Sequence, residues 1–170
     1  ENLDLCPSSM DLVSMDIELA DLQDREYRLQ KLLQSVEYDY ILLDCPPSLG
    51  LLTINALSAS NEVFIPLTAE ALPSKGLGNL MSIIQQTQEH LNKGLSLGGI
   101  IITRYNRRKI NRLVEESLRE SFGELVFKTK IRENVDIMES PLYGKDIYSY
   151  SPESIGAKDY LSLAEEILNR

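Results

Sequence analysis

Short apolar segments alternate with amphipathic helical patterns along the whole chain, and this alternation restricts the fold more than any other feature. The clearest apolar segment is Tyr40–Asp44, a continuous run of the kind found in strands buried on both faces. Such strands, each followed by a helix, predict an α/β fold with a mostly parallel, doubly wound sheet. We predict five strands, at Leu3–Cys6, Tyr40–Asp44, Glu62–Leu67, Leu97–Thr103 and Leu125–Lys128.

Helices are predicted where apolar residues recur three or four positions apart. Their predicted ranges are Asp11–Ala20, Arg25–Val36, Leu51–Ala59, Gly76–Leu91, Ile110–Phe122 and Ala157–Asn169. No linker, repeat or low-complexity stretch interrupts the pattern. We therefore expect residues 1–170 to form a single domain.

The composition excludes two classes of protein. The net charge of −9 argues against a uniformly basic nucleic-acid-binding protein. No apolar run approaches the roughly 18 residues of a membrane-spanning helix. Cys6 and Cys45 each follow an apolar segment and precede a proline. Two such distant thiols do not make a disulfide framework or a zinc site, so we expect them to be reduced, buried strand-end residues of a cytoplasmic protein.

An acid ends the apolar run Tyr40–Asp44, and ligands of doubly wound sheets bind at the carboxyl ends of strands. Asp44 fits a Walker B acid, which reaches Mg²⁺ beside nucleotide phosphates, and it also fits a strand-end residue that caps the next helix. The phosphate-loop pattern G-x-x-x-x-G-K-[ST] is absent from these 170 residues. Only Gly144 precedes a lysine, and the residue five positions earlier is Glu139.

A second candidate site is a basic stretch that begins at the end of a predicted strand. Five positive charges fall within nine residues without an acid: Arg104, Arg107, Arg108, Lys109 and Arg112. Such a stretch can neutralise DNA phosphates independently of base sequence. The same stretch can be the solvated start of a helix.

Several strings together resemble one family. They include DCPPSLG at Asp44–Gly50, IRENV at Ile131–Val135 and GAKDYL at Gly156–Leu161. The chain resembles the C-terminal two-thirds of the ParA/Soj chromosome- and plasmid-partitioning ATPases, within the MinD/ParA deviant-Walker-A group. The resemblance implies a P-loop NTPase-like fold and an ATPase that forms a homodimer on binding ATP. It also implies a cytoplasmic, nucleoid-associated protein that binds DNA non-specifically and hydrolyses ATP when stimulated by a ParB-type centromere-binding protein.

The resemblance also assigns roles to individual residues. Asp44 becomes the catalytic Walker B acid, close to Mg²⁺ through water. The nucleotide-binding residues are Pro46, Pro47 and Ser48, which sense the γ-phosphate, and Thr103, Arg104, Arg132 and Glu133, in loops that border the adenine. The expected DNA-binding residues are Arg107, Arg108, Lys109 and Arg112.

This sequence departs from the family pattern at its start. The family's Walker A and switch I segments lie upstream of Glu1, so we expect a truncated ATPase domain that is inactive alone. One alternative is a naturally P-loop-less interaction module without catalysis. Another is a MinD-like membrane-cycling ATPase, which requires a basic amphipathic helix at the C-terminus. Glu165 and Glu166 lie on the polar face of the last predicted helix and argue against membrane binding.

Overall fold

The structure, a computed structural model, describes residues 3–70 and 75–170. Its helices and strands are, in chain order, α1 (Met15–Glu18), α2 (Arg28–Leu33), α3 (Leu51–Ala59), β1 (Glu62–Thr68), α4 (Lys75–His90), β2 (Ser96–Tyr105), α5 (Lys109–Phe122), β3 (Val126–Arg132), α6 (Val135–Glu139), α7 (Ile147–Tyr150) and α8 (Ile155–Leu168). Four 3₁₀ helices lie at Met10–Val13, Arg25–Tyr27, Gly123–Leu125 and Ser140–Tyr143. The chain groups into two compact units, one of Glu1–Glu62 with Asn79–Ser96 and one of Val63–Gly78 with Leu97–Arg170.

The second unit contains the sheet, whose strands follow the order β1-β2-β3. Strands β2 and β3 are parallel, with Ile100 opposite Val126 and Ile102 opposite Lys130. Between these two pairs β3 advances four residues while β2 advances two, so β3 bulges there. A parallel sheet with flanking helices confirms the predicted α/β fold class.

The core of the second unit lies between β3 and α8. Phe127 is 0 % exposed and packs in one cluster with Ile101, Ile131 and Leu163. Its ring centroid lies 5.9 Å from that of Phe64, in a tilted arrangement that aromatic pairs favour. Burial of this cluster holds α8 against β3 and thereby fixes the end of the chain.

In the first unit, the side-chain amides of the buried Asn55 and the half-buried Asn92 hold the helices together. The Asn55 side chain accepts the N–H of Leu29 and donates to the carbonyl of Arg25 at 2.8 Å. The Asn92 side chain donates to the carbonyls of Leu57 and Ser60 at the end of α3. These contacts give partners to backbone groups that helix ends leave unpaired.

Two predicted strands and two predicted burial states are wrong. Neither Leu3–Cys6 nor Tyr40–Asp44 forms a strand, and Leu3 and Leu42 are 89 % and 91 % exposed. A strand buried on both faces needs paired neighbours, and no described strand pairs with either segment. Cys6 and Cys45 are free thiols as expected, but both are exposed, because the strands expected to bury them do not form.

The remaining elements agree with the sequence prediction to different degrees. Helix α3 has the predicted bounds, and β1, β2, α4, α5 and α8 overlap their predicted ranges closely, while β3 extends four residues further, to Arg132. Asp11–Ala20 and Arg25–Val36 form only short helical pieces. Their apolar residues Ile17 and Leu32 are largely exposed, so the longer helices lack the packing that stabilises them. Within the described residues, no helix is long and apolar enough to cross a membrane.

Candidate functional site

In the first unit, the loop from Asp44 to Ser48 is irregular and exposed. Its contact with α3 is made by the Ser48 carbonyl, which accepts the Thr53 hydroxyl at 2.6 Å. Asp44 therefore does not end a strand in this structure. It does not cap α3 either, because the carboxylate at the first turn of that helix belongs to Asp16, which accepts the N–H of Leu52 at 3.1 Å.

Asp44, the residue expected to bind Mg²⁺, lies in this exposed loop. In the part of the chain that the structure describes, no three His, Cys, Asp or Glu side chains are arranged to hold a metal ion. Protein-bound Mg²⁺ commonly has one or two carboxylates, with phosphate oxygens and water completing an octahedron. Of Asp44, Pro46, Pro47 and Ser48, Asp44 alone carries a carboxylate, so this loop supplies one carboxylate to such a coordination shell.

In the second unit, a polar network joins the carboxyl ends of all three strands. Asn111 is 1 % exposed and donates through Nδ2 to the carbonyl of Ala69, just after β1. Its Oδ1 accepts the N–H of Asn106, which follows β2, at 2.6 Å. Asn106 Nδ2 donates in turn to Glu133 Oε2, after β3, at 3.1 Å, and the Glu133 N–H donates to the Tyr105 carbonyl. We call Asn106, Asn111 and Glu133 the amide clasp.

Thr103 and Arg104, two of the expected nucleotide-binding residues, lie near the end of β2 beside this clasp. The Thr103 hydroxyl donates to the Leu67 carbonyl at 3.2 Å. Arg104 has a φ of 50°, a left-handed conformation that is uncommon for a residue other than glycine. Its guanidinium lies 3.1 Å from the Glu70 carboxylate. Arg104 therefore has an acidic partner within its own chain.

Arg132, at the end of β3, is held by the buried Asp159 of α8. Asp159 is 7 % exposed and accepts from both the Nε and the Nη2 of Arg132, the latter at 2.6 Å. It also accepts the backbone N–H of Arg132 at 2.9 Å. Hydrogen bonding to Asp159 raises the pKa of the Arg132 guanidinium above its ordinary value. The pair fixes the loop that contains Glu133.

The basic stretch extends from the clasp into α5, and we call Arg107–Arg112 the basic segment. Its four cationic side chains are all exposed: Arg107, Arg108, Lys109 and Arg112. None of the four forms an ion pair with an acid in residues 3–70 or 75–170. Asn106 Oδ1 accepts the N–H of Arg108 at 3.1 Å, which connects the segment directly to the clasp.

The expected site residues therefore fall into two sets. The first unit contains Asp44, Pro46, Pro47 and Ser48, and the second contains Thr103, Arg104, Arg132, Glu133 and the four cations of the basic segment. Sequence reasoning missed Asn106, Asn111 and Asp159. Asn111 left a signal, because it occupies the same helical stripe as Val114 and Leu118 and is the polar member of that apolar face.

Comparison with known proteins shows which family the chain resembles. A profile described as "AAA domain" matches residues 1–97. The chain is 46 % identical over 172 residues to the chromosome-partitioning ATPase Soj of Treponema pallidum, covering 99 % of this chain and 68 % of that protein. It is 44 % identical over 170 residues to the sporulation initiation inhibitor protein Soj of Bacillus subtilis, covering 98 % of this chain and 67 % of that protein.

Solved structures support the α/β fold. Cobyrinic acid a,c-diamide synthase from Mycobacterium smegmatis matches with a TM-score of 0.79 and 30 % identity, over 95 % of this chain and 60 % of that one. A second structure of that enzyme, with a bound ATP analogue and magnesium, matches with a TM-score of 0.69 and 33 % identity, over 76 % of this chain and 53 % of that one. This chain thus spans about two-thirds of the length of its curated relatives. It belongs to the ParA/Soj family of chromosome-partitioning ATPases.

Proposed function

We propose that this chain is part of a ParA/Soj-type ATPase that segregates plasmid or chromosomal DNA and binds that DNA through the basic segment. In this proposal the intact protein binds ATP and Mg²⁺, dimerises on ATP, associates with the nucleoid and is stimulated by a ParB-type centromere-binding protein. The names of the Soj relatives support the partitioning role. The observation that carries the DNA-binding role is the set of four exposed cations without an acidic partner among the described residues.

Electrostatics favours an external anion at this place. The positive end of a helix dipole lies at its N-terminus, where added cations are unfavourable and an anion is favourable. Helix α5 begins with cations and has no acid in its first turn. A bound phosphate backbone relieves this repulsion, and phosphate contacts carry no base-sequence information. The segment therefore fits non-specific binding of DNA by an otherwise acidic chain.

The DNA-binding role predicts weak, salt-sensitive binding of duplex DNA by the chain. Reversing three charges, Arg107→Glu, Arg108→Glu and Arg112→Glu, is expected to weaken binding at about 50 mM salt by at least tenfold, because several phosphate contacts are lost. Fluorescence anisotropy of a labelled duplex, repeated at several salt concentrations, measures the affinity and its salt dependence.

A matched control separates local contacts from net charge. Lys93, Lys128 and Lys145 are exposed lysines outside the basic segment. Their triple substitution by glutamate changes the net charge equally and is expected to retain most of the binding. If both triple variants lose affinity equally, or if the segment variant binds like the wild-type chain, the basic segment is not the DNA contact.

The nucleotide-binding role concerns Asp44, with Pro46, Pro47 and Ser48, as the phosphate side and Thr103, Arg104, Arg132 and Glu133 as the adenine side. Most phosphate-binding energy in P-loop proteins comes from loop N–H groups and the loop lysine. These 170 residues lack that pattern, so we expect ATP turnover by the chain alone to equal the buffer background. A phosphate-release assay tests this. Turnover that Asp44→Ala abolishes would contradict the expectation and would assign catalysis to this chain itself.

A further inference from the structure

Among the described residues the basic segment forms no ion pair, although the hydrogen-bond network connects it to an acid through one side chain. Glu133 Oε2 accepts from Asn106 Nδ2, and Oδ1 of the same amide accepts the N–H of Arg108. A single neutral side chain thus connects the carboxylate with the backbone of the segment.

Three acids of this unit that lie near cationic side chains form ion pairs. Glu70 pairs with Arg104 at 3.1 Å, and Asp159 pairs with Arg132 at 2.6 Å. Glu115 pairs with Lys130 at 2.8 Å and also with Arg119. Hydrogen bonds between two charged groups are stronger than those between a carboxylate and a neutral amide. We therefore expect the Glu133 carboxylate, if its amide donor is removed, to turn toward a guanidinium of the segment to which Asn106 connects it.

We propose that Asn106 is a positioning residue that reserves the basic segment for an external polyphosphate by holding the Glu133 carboxylate away from Arg107 and Arg108. The Asn106 side-chain amide gives the Glu133 carboxylate a donor without adding a charge. The buried Asn111 side chain accepts the backbone N–H of Asn106 and so holds the backbone from which that amide extends. This inference rests on the proposed DNA-binding role, because the polyphosphate is the backbone of DNA. It assigns to Asn106 a function in binding that does not involve a contact with DNA.

The test is a pair of substitutions read by duplex DNA affinity at about 50 mM salt. Asn106→Ala is expected to weaken binding about fivefold, because Glu133 then competes with phosphates for the arginines. Adding Glu133→Gln in the Asn106→Ala background is expected to restore affinity to within about twofold of the Glu133→Gln single variant. A role of Asn106 in stability alone does not predict this restoration. If the double variant binds as weakly as Asn106→Ala, or if Asn106→Ala binds like the wild-type chain, the proposal is wrong.

Two further variants guard against an effect of altered folding. Asn106→Ser keeps an oxygen that can accept the Arg108 N–H but is too short to reach Glu133, so it is expected to match Asn106→Ala in DNA affinity. The Ser154 hydroxyl caps α8 by accepting the Ala157 N–H. Ser154→Ala removes this cap and is expected to lower the stability of the protein without changing its DNA affinity. Circular dichroism confirms the fold of each variant. Weak binding by Asn106→Ala but not by Asn106→Ser would contradict the role assigned to the Glu133 contact.

A second readout does not depend on DNA. In Asn106→Ala, NMR of the arginine Nε–Hε groups is expected to show slowed solvent exchange at Arg107 or Arg108, reversed by Glu133→Gln. If the wild-type chain fails to bind DNA but this new pairing appears, the DNA-binding role is wrong and the shielding role of Asn106 stands. If DNA binds and no new pairing appears, the shielding role is wrong and the DNA-binding role stands.

Discussion

Asn111→Ala is expected to lower the free energy of unfolding by about 3 kcal/mol, the largest effect of any single substitution in the amide clasp. The Asn111 side chain is fully buried and gives partners to the Ala69 carbonyl and the Asn106 N–H. Alanine leaves both backbone groups without a partner, and each buried unsatisfied group costs about 1–3 kcal/mol. The better helix propensity of alanine offsets less than about 1 kcal/mol of this loss.

Urea denaturation followed by circular dichroism measures the change, with Asn79→Ala as the matched control. Asn79 is an exposed residue of α4, so the same chemical substitution is expected to change stability by no more than about 0.5 kcal/mol. Equal stability of the two variants would show that the clasp contributes little. A loss of DNA affinity by Asn111→Ala in fully folded protein would further connect the clasp to the basic segment.

The sequence patterns predict the strands of the sheet well. Strands β1, β2 and β3 follow directly from apolar runs, and the structure buries Ile100 and Ile102 of β2 completely. The same pattern at Tyr40–Asp44 predicted a strand that does not form. An apolar run indicates that a segment is stabilised by burial. Whether the segment forms a buried strand depends on neighbouring strands that pair with it, and these are not visible in the run itself.

Some residues of the candidate site could also be predicted from the sequence, and others could not. The basic segment is contiguous in sequence, so the order of residues alone reveals its cluster of charges. The contact between Asn106 and Glu133 could not be foreseen, because these residues are 27 positions apart and meet only when β2 and β3 pair. Asp159 was missed for a similar reason, since its partner Arg132 is also 27 residues away. Long-range polar pairs leave no periodic signal in one sequence.

An acid of helix α8 has a structural role that the sequence pattern did not predict. In the sequence, the acids of this helix indicated only a polar face that is unsuited to membrane binding. In the structure, the two oxygens of Glu166 accept the N–H groups of Lys128 and Thr129, each at 2.8 Å. These N–H groups lie where β3 bulges, and β3 is one of the two edge strands of the described sheet. Glu166 therefore satisfies backbone donors that an edge strand otherwise exposes to solvent or to another chain.

Glu166→Gln is expected to destabilise the protein by about 2 kcal/mol at neutral pH, because one amide oxygen cannot replace two charged acceptors. Desolvation raises the pKa of Glu166, but the N–H groups of Lys128 and Thr129 and the charge of Arg170 outweigh it, so the pKa lies below the ordinary value of 4.5. For a carboxyl whose pKa is lowered by folding, the stabilisation is present above the unfolded pKa and is lost as the pH falls through the folded pKa.

The difference in unfolding free energy between wild type and Glu166→Gln is therefore expected to be constant from pH 7 to about pH 5 and to shrink at lower pH. Urea denaturation at several pH values measures it. Glu165→Gln, at the neighbouring exposed position of α8, provides the control and is expected to show no such difference. A gap that stays constant down to about pH 2 would mean that geometry, and not the carboxylate charge, makes Glu166 important for β3. Protonation of Glu166 at acid pH would then leave the stability of β3 unchanged. The core around Phe127 would still pack α8 against β3.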